Sequence, residues 1–366
     1  MMKHVSEYRN GDIARKLVER IAAAAQSDIR IMEVCGTHTV SVFRHGIRTV
    51  LPETVSLISG PGCPVCVTSQ GDIDAMIALA RLPDTIVATF GDMVRVPGTA
   101  ASLRSEQALG KDVRIVYSTM DALDIARANP EKQVVFPGIG FETTAPTVAA
   151  SILAAKDAGI VNYSVYSAHK RVPPALDALM TLEGARIDAF LLPGHVSAVI
   201  GVKAYGPFFE TYGIPAVIAG FEPADILLGI LRLVEMRRDN APALENAYAR
   251  IVSQNGNPRA EAVMNRVFEN GEAEWRGLGC ITESGMAIRQ EFADFDAAAR
   301  FGIHAPDAPA PKGCACGEIL TGKLTPPQCP LYKNVCTPID PVGPCMVSGE
   351  GSCAAYYKYD DFECVL

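Results

Sequence analysis

The stretch Val55-Ser-Leu-Ile-Ser-Gly-Pro-Gly-Cys-Pro-Val-Cys66 decides how the chain is read. Its first half is an apolar, β-prone run, and its second half is a Gly/Pro-rich turn carrying a Cys-x-x-Cys pair. A strand ending in such a turn presents its next residues at the C-terminal edge of a sheet, where ligands sit in open α/β folds. Pro64 stiffens the turn and removes a backbone donor. Outward from it, residues 29–34 form another run of this kind, followed by Cys35-Gly-Thr-His-Thr39. Two strand ends thus carry three thiols, Cys35, Cys63 and Cys66, together with His38.

Further runs follow at residues 85–90, 113–117, 133–136, 163–166, 189–192 and 215–219. They are apolar throughout rather than alternating, the pattern of strands buried on both faces of a parallel sheet. Helical spacing appears at 11–25 (Ile13, Leu17, Ile21, Ala24), at 72–82 and at 145–158. The runs divide into two sets of four, each run ending in a Gly- or Pro-marked loop. The expected fold class is α/β, with two similar Rossmann-like parallel-sheet domains, 28–132 and 133–223, facing a shared cleft. A helix within 1–27 is expected to pack on the C-terminal part. Residues 224–366 are expected to form a helical, Cys-rich domain, with helices at 224–236, 243–254, 259–269 and 284–294 and an extended linker at 305–311.

The formal charge is −8, from 33 Lys and Arg against 41 Asp and Glu, and no basic run attracts a phosphate backbone, which argues against nucleic-acid binding. No apolar run reaches the ~18 residues of a membrane span. The first residues, Met-Met-Lys-His-Val-Ser-Glu, lack the apolar core of a signal peptide. A cytoplasmic protein is expected, and eleven cysteines in a reducing compartment point to metal or redox chemistry.

Seven of those eleven cysteines lie beyond residue 313. Cys329, Cys336, Cys345 and Cys353 are separated by six, eight and seven residues, unlike the tight knuckles of structural zinc. An iron–sulfur cluster tolerates such spacing, and a metal centre would staple a segment with little to bury. Cys314 and Cys316 read as substitute ligands, a thiol relay or a second site, and Cys280 and Cys364 as plain residues. Cys63 and Cys66 fit a dithiol redox couple or, with Cys35 and His38, a thiolate site for a soft metal. His169 and His195 also follow expected strands, and Glu142 sits at a helix start, where a carboxylate complements the dipole in any case. Gly317-Glu-Ile-Leu-Thr-Gly-Lys323 imitates a phosphate-binding loop, but Leu324 replaces the required hydroxyl and Pro326-Pro327 blocks the helix. Gly138-Ile-Gly140 lacks the third glycine of a dinucleotide fingerprint.

Cys35-Gly-Thr-His-Thr39, Gly60-Pro-Gly-Cys-Pro-Val-Cys66, Gly140-Phe-Glu-Thr-Thr144, Ser167-Ala-His-Lys170, Pro193-Gly-His-Val-Ser197 and the tail through Gly343-Pro-Cys-Met-Val-Ser348 and Gly351-Ser-Cys353 occur in that order. Together they resemble the HypD family of hydrogenase maturation proteins over essentially the whole chain. The resemblance implies a scaffold for assembling the Fe(CN)2CO group of nickel–iron hydrogenases, with a HypC-type small partner sharing the iron and a HypE-type protein donating cyanide. It implies Cys35 as the main ligand of Fe(II), Cys63 and Cys66 as a redox-active pair beside that iron, and Cys329, Cys336, Cys345 and Cys353 as ligands of a 4Fe-4S cluster. A metallocentre scaffold with redox thiols is therefore expected in preference to a free-standing enzyme. The competing expectation is a thiol–disulfide oxidoreductase like ferredoxin:thioredoxin reductase, which would leave Cys35 and His38 idle.

Overall fold

The computed structural model describes residues 6–359, so Cys364 and the first five residues lie outside the described part. The apolar runs become parallel strands: β1 (Ile29–Glu33), β2 (Val55–Ser59), β3 (Thr85–Thr89), β4 (Asp112–Ile115), β5 (Gln133–Gly138), β6 (Tyr163–Ser167), β7 (Ala189–Pro193), β8 (Ala216–Ala219) and the short β9 (Leu244–Asn246). They form two parallel sheets, ordered β2-β1-β7-β8-β9 and β4-β3-β5-β6. The α/β class with two parallel sheets is as the strand patterns indicate.

The division of strands between the sheets differs from the expected halves 28–132 and 133–223. The chain makes β1 and β2, leaves to build the whole second sheet from β3 to β6, then returns with β7, which pairs with β1 at Ile31↔Ala189. Strands buried on both faces are equally apolar, so local pattern carries no record of which neighbour each one takes.

The region after 224 is less helical than expected. Pro223–Asp239 and Pro258–Val267 are helices, but residues 243–254 hold β9 and turns. Residues 284–294 divide between the end of a strand and a 3-10 helix, Gln290–Phe295. That strand, β11 (Gly279–Ile288), pairs with β10 (Phe268–Trp275) as an antiparallel hairpin. Helical spacing and alternation are hard to separate in Glu/Gly/Ala-rich sequence, and the Arg276–Leu278 turn between the strands is the stronger signal. The linker at 305–311 is extended, with the Pro306 carbonyl against Gly71 of the helix Gln70–Arg81.

The helix Gly11–Ala24 buries Leu17, Ile21 and Ala24 in the core of the first sheet, against the helix Pro223–Asp239. Arg20 pairs with Glu235 of that helix at 2.9 Å. The Cys-rich tail buries Ile319, Leu320, Met346 and Val347 in the largest core cluster. Its last helix, Ser352–Tyr359, packs on the helix Gly36–Arg44, where Tyr356 and Phe43 rings lie 4.3 Å apart. Among the described residues, no helix is long and apolar enough to cross a membrane.

Replacing Ile21, which is fully buried between two helices, with Ala should cost about 2–5 kcal/mol by loss of burial and an unfilled cavity. Urea unfolding with an unchanged slope and a lowered midpoint checks this; an unchanged midpoint would mean that the helix Gly11–Ala24 is not docked in solution.

Candidate metal and thiol site

Parallel pairing of β1 and β2 in register, Ile29↔Val55 through Glu33↔Ser59, brings the Cys35 loop beside the Cys63-x-x-Cys66 loop. The Gly36 amide donates to Gly62 O at 3.1 Å, and a Cβ on Gly62 would collide with the Cys35 backbone. Cys35 precedes the helix Gly36–Arg44 and is buried. Burial pushes its thiol pKa up to about 11, and nearby Glu350 adds to the rise. The backbone amides of His38 and Thr37 favour the thiolate and offset part of this, although Cys35 makes no capping hydrogen bond. Cys63 and Cys66 are joined in a disulfide, with Cα atoms 5.2 Å apart and the Cys66 amide donating to Cys63 Sγ at 3.2 Å.

Glu350 belongs to the Cys-rich tail and reaches the site through Thr37, whose hydroxyl donates to Glu350 Oε1 at 2.6 Å. A Cβ on Gly36 would meet the Glu350 backbone, so the two loops touch directly. His38 is buried and its Nε2–H donates to Gly220 O at 2.9 Å, leaving Nδ1 without a partner. Burial lowers its pKa to about 4, so the ring is neutral at neutral pH. His195 stacks on Phe221 at 3.9 Å, and Phe221 also packs against the His38 ring. The first sheet thus gathers Cys35, His38, His195 and the disulfide at one edge.

The second sheet supplies Glu142 and His169. Glu142 is buried and accepts from the Val172 amide at 3.0 Å; burial raises its pKa to about 7. It lines a solvent-open cavity of about 320 Å3 with Arg171 from its own sheet and Ile200 and Ala204 from the first, so loops of both sheets meet there. His169 donates from Nδ1 to Ser167 Oγ, whose own proton goes to Met286 O, and burial lowers its pKa to about 3. His169 and Lys170 pack toward the β10–β11 hairpin.

The tail thiols form the other half of the site. Cys314, Cys316, Cys329, Cys336, Cys345 and Cys353 line one small cavity of about 10 Å3, walled by Ile319, Leu331 and Met346. The expected quartet is there, joined by Cys314 and Cys316. Cys316 and Cys345 sulfurs lie 2.7 Å apart. Cys316 also contacts Cys314, and Cys345 also contacts Cys353; Cys336 is acted on by Cys353 and Cys329, and the Val342 amide donates to Cys336 Sγ at 3.3 Å. No three His, Cys, Asp or Glu side chains among the described residues converge as ligands of a single metal ion. The helix Pro64–Val67, which carries Cys66, packs against both Cys316–Leu320 and Pro344–Val347. The Cys63–Cys66 loop therefore lies between Cys35 and the thiol-lined cavity.

Sequence reasoning did not single out Glu350, Phe221 or Arg276. Glu350 stands in Ser348-Gly-Glu-Gly351, and a carboxylate flanked by glycines between two cysteines was the available signal. Phe221 and Arg276 act through contacts between distant segments, which leave no local trace.

A parallel α/β protein with thiols grouped at the edge of one sheet and in the adjoining tail is the class that fold and site define. A family profile described as "Hydrogenase formation hypA family" (HypD) matches residues 12–360. The chain is 47% identical to the hydrogenase maturation factor HypD of Azotobacter vinelandii over 98% of this chain and 97% of that one. It is 44% identical to HypD of Escherichia coli K12, covering 98% of each, and 43% identical to HypD of Rhodobacter capsulatus with the same coverage. The chain belongs to the HypD family of hydrogenase maturation factors.

Because burial and Glu350 both favour the neutral thiol, alkylation of Cys35 in reduced, metal-free protein should keep accelerating with pH up to about 11. An unperturbed thiol levels off soon after its pKa near ~8.5. Site-resolved mass spectrometry after iodoacetamide pulses measures this, and a plateau by pH 9 would show that the thiolate is stabilised.

Proposed function

We propose that the chain is a cytoplasmic scaffold on which the Fe(CN)2CO group of a nickel–iron hydrogenase is assembled, with Cys35 holding Fe(II) as cargo together with a HypC-type partner. Cyanide would arrive from a HypE-type donor. The observation that carries this reading is the position of Cys63–Cys66 between the Cys35 loop and the six-thiol cavity. Buried soft sulfur donors suit low-spin iron with strong-field ligands. Neutral His38 beside Cys35 adds no charge that would compete with a cation.

The donor set fits a 4Fe-4S cluster, since six thiols line one small cavity and an amide is aimed at Cys336, as cluster sulfurs require. Bound there, a cluster would supply electrons singly. The contact between Cys316 and Cys345 favours a modified ligand set: Cys314, Cys329, Cys336 and Cys353 hold the cluster, and Cys345 pairs with Cys316 as a dithiol. Oxidation of that dithiol to a disulfide would reduce Cys63–Cys66 to two thiols, the two protons passing with the electron pair, so the exchange balances without another reagent. The thiol–disulfide oxidoreductase reading explains these sulfurs as well but leaves the buried Cys35 site without a task.

Infrared spectra of the anaerobically purified partner complex, with iron and sulfide analysis, test the reading. Cys35→Ala should abolish the cyanide and CO bands while the iron–sulfur absorbance stays; bands that persist would remove Cys35 as the essential ligand. In the same preparation, Cys314→Ser should lose most cluster iron and sulfide and Cys345→Ser should retain most of it. The opposite pattern would restore Cys345 as a ligand.

A further inference from the structure

Arg276 lies at the turn of the β10–β11 hairpin and is buried, with about 6% of its surface exposed. Its guanidinium donates only to neutral groups, from Nε to Thr68 O at 3.2 Å and from Nη1 to Gln70 Oε1 at 3.2 Å. Its backbone amide donates to Val67 O at 2.9 Å. Nη2 is buried and has no partner, and no carboxylate among the described residues pairs with the group. Asp72, the nearby candidate, already faces Lys170 at 3.8 Å and accepts from Tyr166 and Ser69. A buried cation without a counter-ion is strongly unfavourable, so a negative charge should complete it.

The neighbouring residues indicate where that charge resides. Gly277 adopts φ +84°, and a Cβ there would meet Gly317 Cα at 2.6 Å, so the hairpin turn is pressed backbone to backbone on the residue after Cys316. The Arg276 charge acts on the Cys316 sulfur. On its other side the guanidinium is tied to Thr68, two residues beyond Cys66. The hairpin therefore wedges one fixed positive charge between the Cys63–Cys66 segment and the thiol-lined cavity.

We propose that Arg276 is the buried counter-ion of the cysteine cavity, a positioning residue whose charge is set against thiolate-bound iron and sulfide there. The inference rests on the cluster reading above. A thiolate-ligated iron–sulfur group is anionic, and with the guanidinium held in place by neutral acceptors its attraction costs no rearrangement. Emptying the cavity removes that anion.

The test uses the full chain prepared anaerobically with iron and sulfide, as wild type, R276M and R276K. Iron loss to an excess of chelator and thermal unfolding are followed for the loaded protein, and unfolding again after the metal has been removed under reducing conditions. R276M should lose iron at least tenfold faster than wild type and unfold earlier when loaded, yet unfold no earlier than wild type when emptied. R276K, which keeps the charge, should lose iron within about threefold of the wild-type rate. Equal iron-loss rates in R276M and wild type would overturn the proposal, as would equal destabilisation of its loaded and emptied forms, the mark of a purely structural arginine. If wild type itself holds no iron and sulfide, the cluster reading falls first, and this proposal with it.

Discussion

The site depends on the close backbone approach of two loops at the edge of the first sheet. Register pairing of β1 with β2 ends at Glu33↔Ser59, and from there both chains must turn in the same small volume. Gly62 permits this because it has no Cβ to meet the Cys35 backbone. A larger residue would separate Cys35 from Cys63 and Cys66, since the main chain cannot yield as a side-chain tip can. The glycines that looked like turn signals in the sequence are thus better understood as spacers between reactive sulfurs.

Burial governs the chemistry around that contact. It raises the Cys35 thiol, keeps His38 and His169 neutral and brings Glu142 to the edge of neutral pH, in each case by penalising the charged form. A thiol in such a site must lose its proton to become a metal ligand, so metal uptake there would release protons. Glu33, also fully buried, keeps its partner Arg48 at 3.1 Å, and Arg48 in turn donates to Tyr356 of the last helix. The same sheet that presents Cys35 therefore also anchors the segment that carries Cys353.

Much of this was legible in the sequence. The strands at 29–34 and 55–59, their cysteine-bearing loops and the clustering of the tail thiols follow from local pattern, since each is written in a few consecutive residues. The pairing of β1 with β7 was not legible, because Ala189-Phe-Leu-Leu192 is as apolar as its alternatives. Nor was the hairpin 268–288, where exposed Glu and Gly residues hide the alternation. The tail was expected to have little to bury, yet Ile319, Leu320, Met346 and Val347 join the main core, where spacing among prolines gave no periodicity to read. The gathering of all six tail thiols at one cavity is a matter of tertiary geometry: nothing in Cys314-Ala-Cys316 foretells which sulfur meets Cys345.

The path of the chain adds a last constraint. The first sheet opens with β1 and β2 and is completed by β7, β8 and β9 only after the second sheet has been made. Cys35 and the Cys63–Cys66 loop are neighbours as soon as β1 pairs with β2, but His38 needs Gly220 after β8, and Thr37 needs Glu350 from the tail. Such long-range closure is slow relative to local pairing. The dithiol and Cys35 can therefore come together early, while the histidine support and the second set of thiols are added at the end. The Cys63–Cys66 loop, in the middle of the structure, thus stands beside Cys35 before the cysteine cavity closes on its other side.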